Sequence, residues 1–265
     1  QGFADCAPKN AILWEDTDME TAMPAEMPAS DGMPVLFEEA YSLPEGFAYL
    51  DEAVPGVYWD AKYASSDNFT GTPVDGYKAN RVACSKKMAL ALIRARDLAA
   101  EKGLSLLVWD AARPQRAVDR FVEWSQAPED GKTRNAHYPN LRKTQLFQEG
   151  YIARRSGHTR GAAVDLTLMD KSGETLDMGG GFDLMDDQSH HGAKGLTRLQ
   201  TKNRNLLKSI MRAAGLNAYG SEWWHYSLAD EPFPGTYFDF VIGGEAAAYP
   251  MPMPPKPSNT QDQPE

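Results

Sequence analysis

Apolar positions along the middle of the chain alternate between helical spacing and short unbroken runs, and that alternation predicts its elements. The stretch KKMALALIRARDLAAEKG, residues 86–103, is rich in Ala, Leu, Lys and Arg and stops at Gly103, which predicts a helix with a glycine C-terminal signal. The apolar run LSLLVW at 104–109 suits a buried strand. Pro114 then opens a second helix, PQRAVDRFVEWSQ, in which Ala117, Val118, Phe121 and Trp124 recur at helical spacing. Further on, DKSGE supplies turn chemistry around Gly173 between two extended stretches. Thr197 and Gln200 make a capping-box pattern ahead of NRNLLKSIMRAAG, a helix ended by Gly215. Strands and helices mix without a regular βαβ alternation, so the expected class is α+β rather than a doubly wound parallel sheet.

Both flanks break the pattern. TAMPAEMPASDGMP near the start and YPMPMPPKPSNTQDQPE at the end lack periodicity and are dense in Pro, which favours extended or disordered chain. The expected organisation is an N-terminal extension over 1–45, a single domain without repeats over 46–243, and a Pro-rich tail over 244–265. Charge follows the same division. Of the net −10, residues 1–45 carry ten acids against Lys9 alone, and residues 244–265 carry three acids against Lys256, so the domain itself is left at +1. With no basic surplus and no stripe of interleaved Arg and aromatic residues, nucleic-acid binding is not expected. No apolar run approaches the roughly 18 residues that would cross a bilayer, so no transmembrane segment is expected.

Two cysteines, Cys6 and Cys84, permit one disulfide, with a buried Cys84 acting as a small hydrophobe as the competing reading. A chain that begins at Gln1, with such an extension, raises the expectation of a periplasmic or otherwise exported protein, even one anchored through a lipid-bearing residue upstream. Cytoplasmic residence is the alternative. Oligomeric state is not legible.

Candidate chemistry gathers in SGHTRGAAVDLTL, residues 156–168, and EWWHY, residues 222–226. His158 and Asp165 are seven apart, an offset that places them on opposite faces of a straight strand, so both can reach one metal only if the chain bends between them. Gly161 is the position that tolerates a bend. Beyond it, Ala163 and Asp165 share one face and Ala162, Val164 and Leu166 the other. Glu222 and His225, three apart, need a helical turn or a bulge to lie side by side. Two histidines and an aspartate with an open fourth position suit a catalytic zinc, and a nearby carboxylate outside the ligand set, a role open to Glu222, would move the proton of the attacking water. Each spacing alone recurs by chance, and ordinary polar residues near strand ends remain the competing reading.

The two segments together resemble the paired motifs S-x-H-x-x-G-x-A-x-D and E-x-W-H of the zinc D-alanyl-D-alanine dipeptidase and carboxypeptidase superfamily. WDAKYASSDNFTGTPVDGY, WDAARPQRAV, MGGGFDLMDDQSHH and DEPFPGTYFDF extend the likeness, in order, over roughly residues 47–241, toward the dipeptidases associated with vancomycin resistance. The resemblance implies a small antiparallel sheet flanked by helices, of the hedgehog and D,D-peptidase kind. It implies one zinc per chain on His158, Asp165 and His225, with Glu222 as catalytic base and then acid and Arg113 stabilising the oxyanion. It implies that Tyr63 and Asp183 hold the substrate ammonium while Ser156 and Tyr77 meet its carboxylate. The substrate so implied is the D-Ala-D-Ala dipeptide, from peptidoglycan precursor or cell wall, cleaved to free D-alanine.

Where bulkier residues often precede the arginine, this chain has Ala111 and Ala112, which are expected to widen the pocket. A D,D-carboxypeptidase acting on longer stem peptides is therefore the alternative within the enzymes. A zinc-bearing binding module without catalysis is the alternative outside them, and it would dispense with Glu222 or Arg113. The adjacent His190 and His191 face opposite ways on an extended chain and are read as neighbours of the site. His137, in a polar loop, is given no chemical role, and Trp223 and Trp224 are read as packing around His225.

Overall fold

A computed structural model describes residues 41–246. Cys6, most of the extension and most of the tail lie outside the described residues. Residues assigned on composition to the extension already pack on the domain: the Tyr41 carbonyl accepts from the Tyr49 hydroxyl at 3.0 Å, and Gly243 leaves room for the Tyr41 ring where a side chain would collide.

The centre is a five-stranded sheet in the order β2 (Tyr58–Trp59), β4 (Ser105–Asp110), β5 (Ala163–Met169), β7 (His225–Leu228) and β6 (Leu216–Ala218). Its ladders are antiparallel except for the two-residue β2, which runs parallel to β4. A separate antiparallel pair joins β1 (Phe47–Tyr49) to β3 (Ala83–Ser85), with the short α1 (Leu50–Ala53) between them in sequence. The class expected from the pattern, α+β with a small sheet and helices around it, is the one observed.

The predicted helices form for the reasons that predicted them. Helix α2 spans Lys86–Ala100, buries Met88, Ala91, Leu92, Ala95 and Ala99, and packs on β4 and β5. Helix α3, Gln115–Gln126, starts directly after Pro114 and buries Ala117, Val118, Phe121 and Trp124. Two further helices, α4 (Arg134–His137) and α5 (Lys143–Gln148), are too short to leave a periodic signature. Helix α6, Arg198–Ala213, carries the reciprocal Thr197–Gln200 capping box and begins several residues before the apolar pattern suggested. DKSGE is a tight turn: Asp170 Oδ1 accepts from the Ser172 backbone, and Met169 bridges to Thr175 across it. Cys84 is a fully buried free thiol whose pKa is pushed up to about 12 by burial, as fits a small hydrophobe. No helix among the described residues is long and apolar enough to cross a membrane.

Two features of this frame place the chemistry. Strand β5 is buried along its whole length, and its register sets Asp165 directly opposite His225 on one side and Asp110 on the other. The Asp110 pairing depends on an irregularity at Trp109, which shifts the β4 register between Val108 and Asp110. Ahead of β5, His158–Arg160 form one 3-10 turn that Gly161 closes at φ 64°, the bend required by the seven-residue offset. Ser85 ties this turn to α2, because its hydroxyl donates to the Gly161 carbonyl at 2.6 Å and accepts from Met88 N at the helix start.

A side chain at Gly161 would meet the Phe47 ring and Ser85 Cβ, each at 3.0 Å, in a backbone conformation that disfavours it. Gly161→Ala is therefore expected to cost about 2–3 kcal/mol in urea denaturation. A loss under about 1 kcal/mol would show that the turn is not so constrained.

Candidate active site

Nδ1 of His158 lies 2.8 Å from the Ala111 carbonyl. Because a carbonyl oxygen only accepts, that nitrogen carries a proton, and the contact directs Nε2 toward His225 Nδ1 at 3.2 Å and Asp165 Oδ2 at 3.3 Å. His225 Nδ1 is 3.0 Å from Asp165 Oδ1, and its other nitrogen lies 3.3 Å from Ser227 Oγ. One donor atom from each of the three residues falls within 4.8 Å of the others. Two borderline nitrogens and a carboxylate converging in a buried place, with outer partners fixing the rings, fit the ligand set of a divalent metal. Burial alone would raise the Asp165 pKa, yet the charges and hydrogen bonds of His158 and His225 hold it far below the usual carboxylate range. For His225, burial works against the charged form, but Asp165 outweighs it and raises the pKa.

Glu222 sits beside this set and outside it. Its Oε2 is 3.6 Å from His225 Nδ1, and the His225 N–H donates to the Glu222 carbonyl, so a single turn of chain sets the two side chains together. Burial raises its carboxyl to about 7 among the protein groups, with Asp165 adding to the rise and His225 opposing it. Trp223 and Trp224, which separate the pair, are both buried and pack on Trp109 and Phe182 respectively.

Arg113 enters from the opposite side. Its Nε donates to Asp110 Oδ2 at 2.8 Å, its Nη2 lies 3.3 Å from Asp165 Oδ2, and its guanidinium rests against both the Tyr63 and the Phe121 rings. Burial opposes that charge, but Tyr63, Asp110, Tyr77 and Asp165 around it push its pKa still higher. Tyr63 donates to Asp183 Oδ2 at 2.7 Å. Asp183 is buried and stands at φ 57°, a left-handed conformation rare outside glycine, and burial with the nearby Asp165 charge raises its carboxyl well above the usual range.

A cavity of about 260 Å³ brings these groups together, with Tyr63, Arg113, Ser156, His158, Asp165, Asp183, Glu222 and His225 on its wall. Of the residues picked out in the sequence, Tyr77 alone is placed elsewhere. Its ring is buried and its hydroxyl donates to Asp110 Oδ1 at 2.7 Å, so it braces the support of Arg113 instead of lining the cavity. Ala111 and Ala112 do not widen the pocket: both are buried behind it, and Ala111 contributes its carbonyl to His158. His137 has a structural partner after all, since its Nδ1 reaches the Asp183 carbonyl at 3.2 Å and its own carbonyl accepts from Met185 N. His190 and His191 stay off the metal-ligand set, with His190 hydrogen-bonded to Tyr151.

Asp110 is the residue the sequence reading passed over. It accepts from Tyr77 and Arg113 and lies 3.6 Å from His158 Nδ1. Its one signal was position, three before Arg113 at the end of a predicted strand. Arg155, a cation on the cavity wall beside Ser156, was missed as well.

A buried two-histidine, one-carboxylate centre with a free carboxyl beside it belongs to the metal-dependent hydrolases, and within these the chain is a metallopeptidase. Residues 44–242 match the family model described as D-ala-D-ala dipeptidase, and the chain belongs to that family. It is similar to the D-alanyl-D-alanine dipeptidase of Streptomyces coelicolor, 56% identical over 74% of this chain and 98% of that one. The enzyme of the same name from Enterococcus faecium is 50% identical over the same shares. That of Escherichia coli is 34% identical over 66% of this chain and 80% of its own.

Asp110→Asn keeps the size of the side chain while removing the charge that orients Arg113. Metal content by elemental analysis should stay close to wild type, while kcat falls roughly 10–100-fold, the usual scale for a lost outer partner. An unchanged kcat would show that Arg113 is held without it.

Proposed function

We propose that the chain hydrolyses the D-Ala-D-Ala dipeptide to D-alanine, with one zinc held by His158, Asp165 and His225. The observation that carries this reading is the single small cavity in which the ligand set, a separate carboxyl, a buried guanidinium and a buried acidic end meet. The names of the similar enzymes supply the substrate. About 260 Å³ lies below the range typical of drug-sized ligands, roughly 300–1,000 Å³, and suits a molecule as small as a dipeptide.

When bound, zinc supplies Lewis-acid polarisation of the scissile carbonyl and of the attacking water. Glu222, next to the ligand set without joining it, takes a proton from that water at its carboxylate and returns it to the leaving nitrogen. Arg113, pinned through Nε by Asp110, keeps its remaining donors for charge that grows on the scissile oxygen, where a preorganised guanidinium acts without reorganising. Asp183 receives a hydrogen bond from Tyr63 but no positive charge from it, so a substrate ammonium is the partner its buried carboxyl lacks. Ser156, whose hydroxyl accepts from His158 N, and Arg155 on the same cavity wall would take the substrate carboxylate. A pocket that pairs both ends of a dipeptide rejects longer chains through unpaired charge and steric closure.

Product identity tests the reading directly. Zinc-loaded protein should release D-alanine from D-Ala-D-Ala and leave its L,L isomer and a D-Ala-D-Ala-terminated stem peptide largely intact. Efficient trimming of the stem would replace the dipeptidase with a D,D-carboxypeptidase.

Glu222→Ala is expected to retain one zinc per chain and lose on the order of 10²- to 10⁴-fold in kcat, whereas His158→Ala should lose the metal itself. Full zinc occupancy in the His158 variant, measured by elemental analysis, would remove that residue from the ligand set. N-acetylation of the dipeptide deletes the ammonium and adds bulk at the same end. With several kcal/mol attached to an unpaired buried carboxylate, kcat/KM should drop roughly several hundred-fold. Asp183→Asn should narrow that gap by slowing the free dipeptide, and equal rates on both compounds in wild type would eliminate the ammonium pocket.

A further inference from the structure

Glu222 and His225 face the cavity, but Trp223 and Tyr226 of the same segment turn the other way, toward α6 and the loop of residues 190–196. There, four buried polar atoms lack a hydrogen-bond partner: Arg204 Nη2, His191 Nε2, Trp223 Nε1 and Tyr226 OH. They belong to one neighbourhood. The Arg204 guanidinium lies 5.8 Å from the Trp223 ring centre, and the His191 and Tyr226 ring centres are 6.4 Å apart.

All four are able to donate, Tyr226 OH and His191 Nε2 being able to accept as well, and a buried polar group left without a partner is destabilising, most of all when charged. Arg204 is the most exposed to this cost. It is only 2% accessible, and its Nε and Nη1 are satisfied by the carbonyls of Met178 and His190, neither of which offsets its charge. Asp177, the acid whose charge it feels, is exposed and turns its oxygens to Gly179 N and Gln200 Nε2. Burial and the charges of Lys208 and Arg204 push His191 down to about 4, so the imidazole is neutral at pH 7 and presents one N–H.

A single water could balance the count by accepting from Arg204 and Trp223 and donating to Tyr226 and His191, but it does not neutralise a buried guanidinium. A small anion accepts from several donors and also offsets that charge. A recess of about 450 Å³ between α6 and the loop shares His191 and Arg204 with the cluster and is lined also by Thr201, Asn205 and Lys208, with no Asp or Glu on its wall, so it forms an electropositive approach.

We propose that Arg204, His191, Trp223 and Tyr226 form a seat for a small monovalent anion of the halide class, on the far side of the EWWHY segment from the catalytic cavity. The anion would clamp Trp223 and Tyr226 to α6 and so hold the register in which Glu222 and His225 face forward.

The test uses the zinc-loaded full chain. Crystals grown without chloride and soaked in sodium bromide should give an anomalous peak among the four side chains, separate in the map from any halide at the catalytic centre. In thermal unfolding at constant ionic strength, replacing gluconate by chloride should raise Tm by roughly 3–5 °C for each tenfold increase beyond saturation. Tyr226→Phe, which keeps the ring and removes one donor, should weaken the halide midpoint about tenfold, and Arg204→Met should abolish the dependence. If Arg204→Met does not fold, the bromide map and the Tyr226 variant still decide. Light-atom density without a bromide peak, an internal water only, overturns the proposal, and so does a Tm that ignores halide or a Tyr226→Phe response equal to wild type.

Discussion

Asp165 is a carboxylate taken out of water into the middle strand of the sheet, and most of the site is arranged to make that tolerable. An ion of this kind without partners would cost several kcal/mol after relaxation. Here Arg113, His158 and His225 each stand within about 3.3 Å of its oxygens. Each arrives by a different route: one ring across the β5–β7 ladder, one from the turn that Gly161 closes, and the guanidinium from the loop after β4. The same convergence that stabilises the carboxylate gathers a candidate metal-ligand set and a cation around one small volume, so the energetic requirement and the candidate chemistry share their atoms.

Around Asp165 the fold sorts the other acids by environment. Asp110 accepts from Tyr77 and Arg113 and serves as the fixed end of the guanidinium. Glu222 is raised to about 7 by burial, and burial likewise holds Asp183 well above the usual carboxylate range, with Tyr63 donating to it. Acids whose environments push their proton affinities apart are suited to different tasks in one reaction. The strained backbone of Asp183, supported from behind by His137, is consistent with a residue held for its position in the cavity at some conformational cost.

Small local devices transmit this order over distance. Ser85 caps α2 and also holds the Gly161 carbonyl, so a helix that packs the far part of the core fixes the turn carrying His158. Aromatic packing of Tyr63 against Phe121, with Phe121 against Phe69, seats α3 beside the cavity wall. The turn along EWWHY gives one segment two faces, Glu222 and His225 toward the cavity and Trp223 and Tyr226 toward Arg204 of α6.

Helices α2, α3 and α6 and strand β4 were legible in the sequence because periodicity, glycine stops, Pro114 and the Thr197–Gln200 box act over a few residues and need no distant partner. The bend at Gly161 followed from the odd His158–Asp165 spacing, and the candidate metal and base residues from the two motifs and the family they resemble. Strands β1, β2, β3, β6 and β7, of two to four residues each, carried no pattern, because pairing across the sheet and not local propensity makes them strands. Only the tertiary structure placed Asp110 under Arg113, turned the Tyr77 hydroxyl away from the cavity, and buried Ala111 and Ala112 behind it. Those outcomes rest on the register shift at Trp109 and on contacts between residues some 30 to 50 positions apart, which spacing along the chain does not encode.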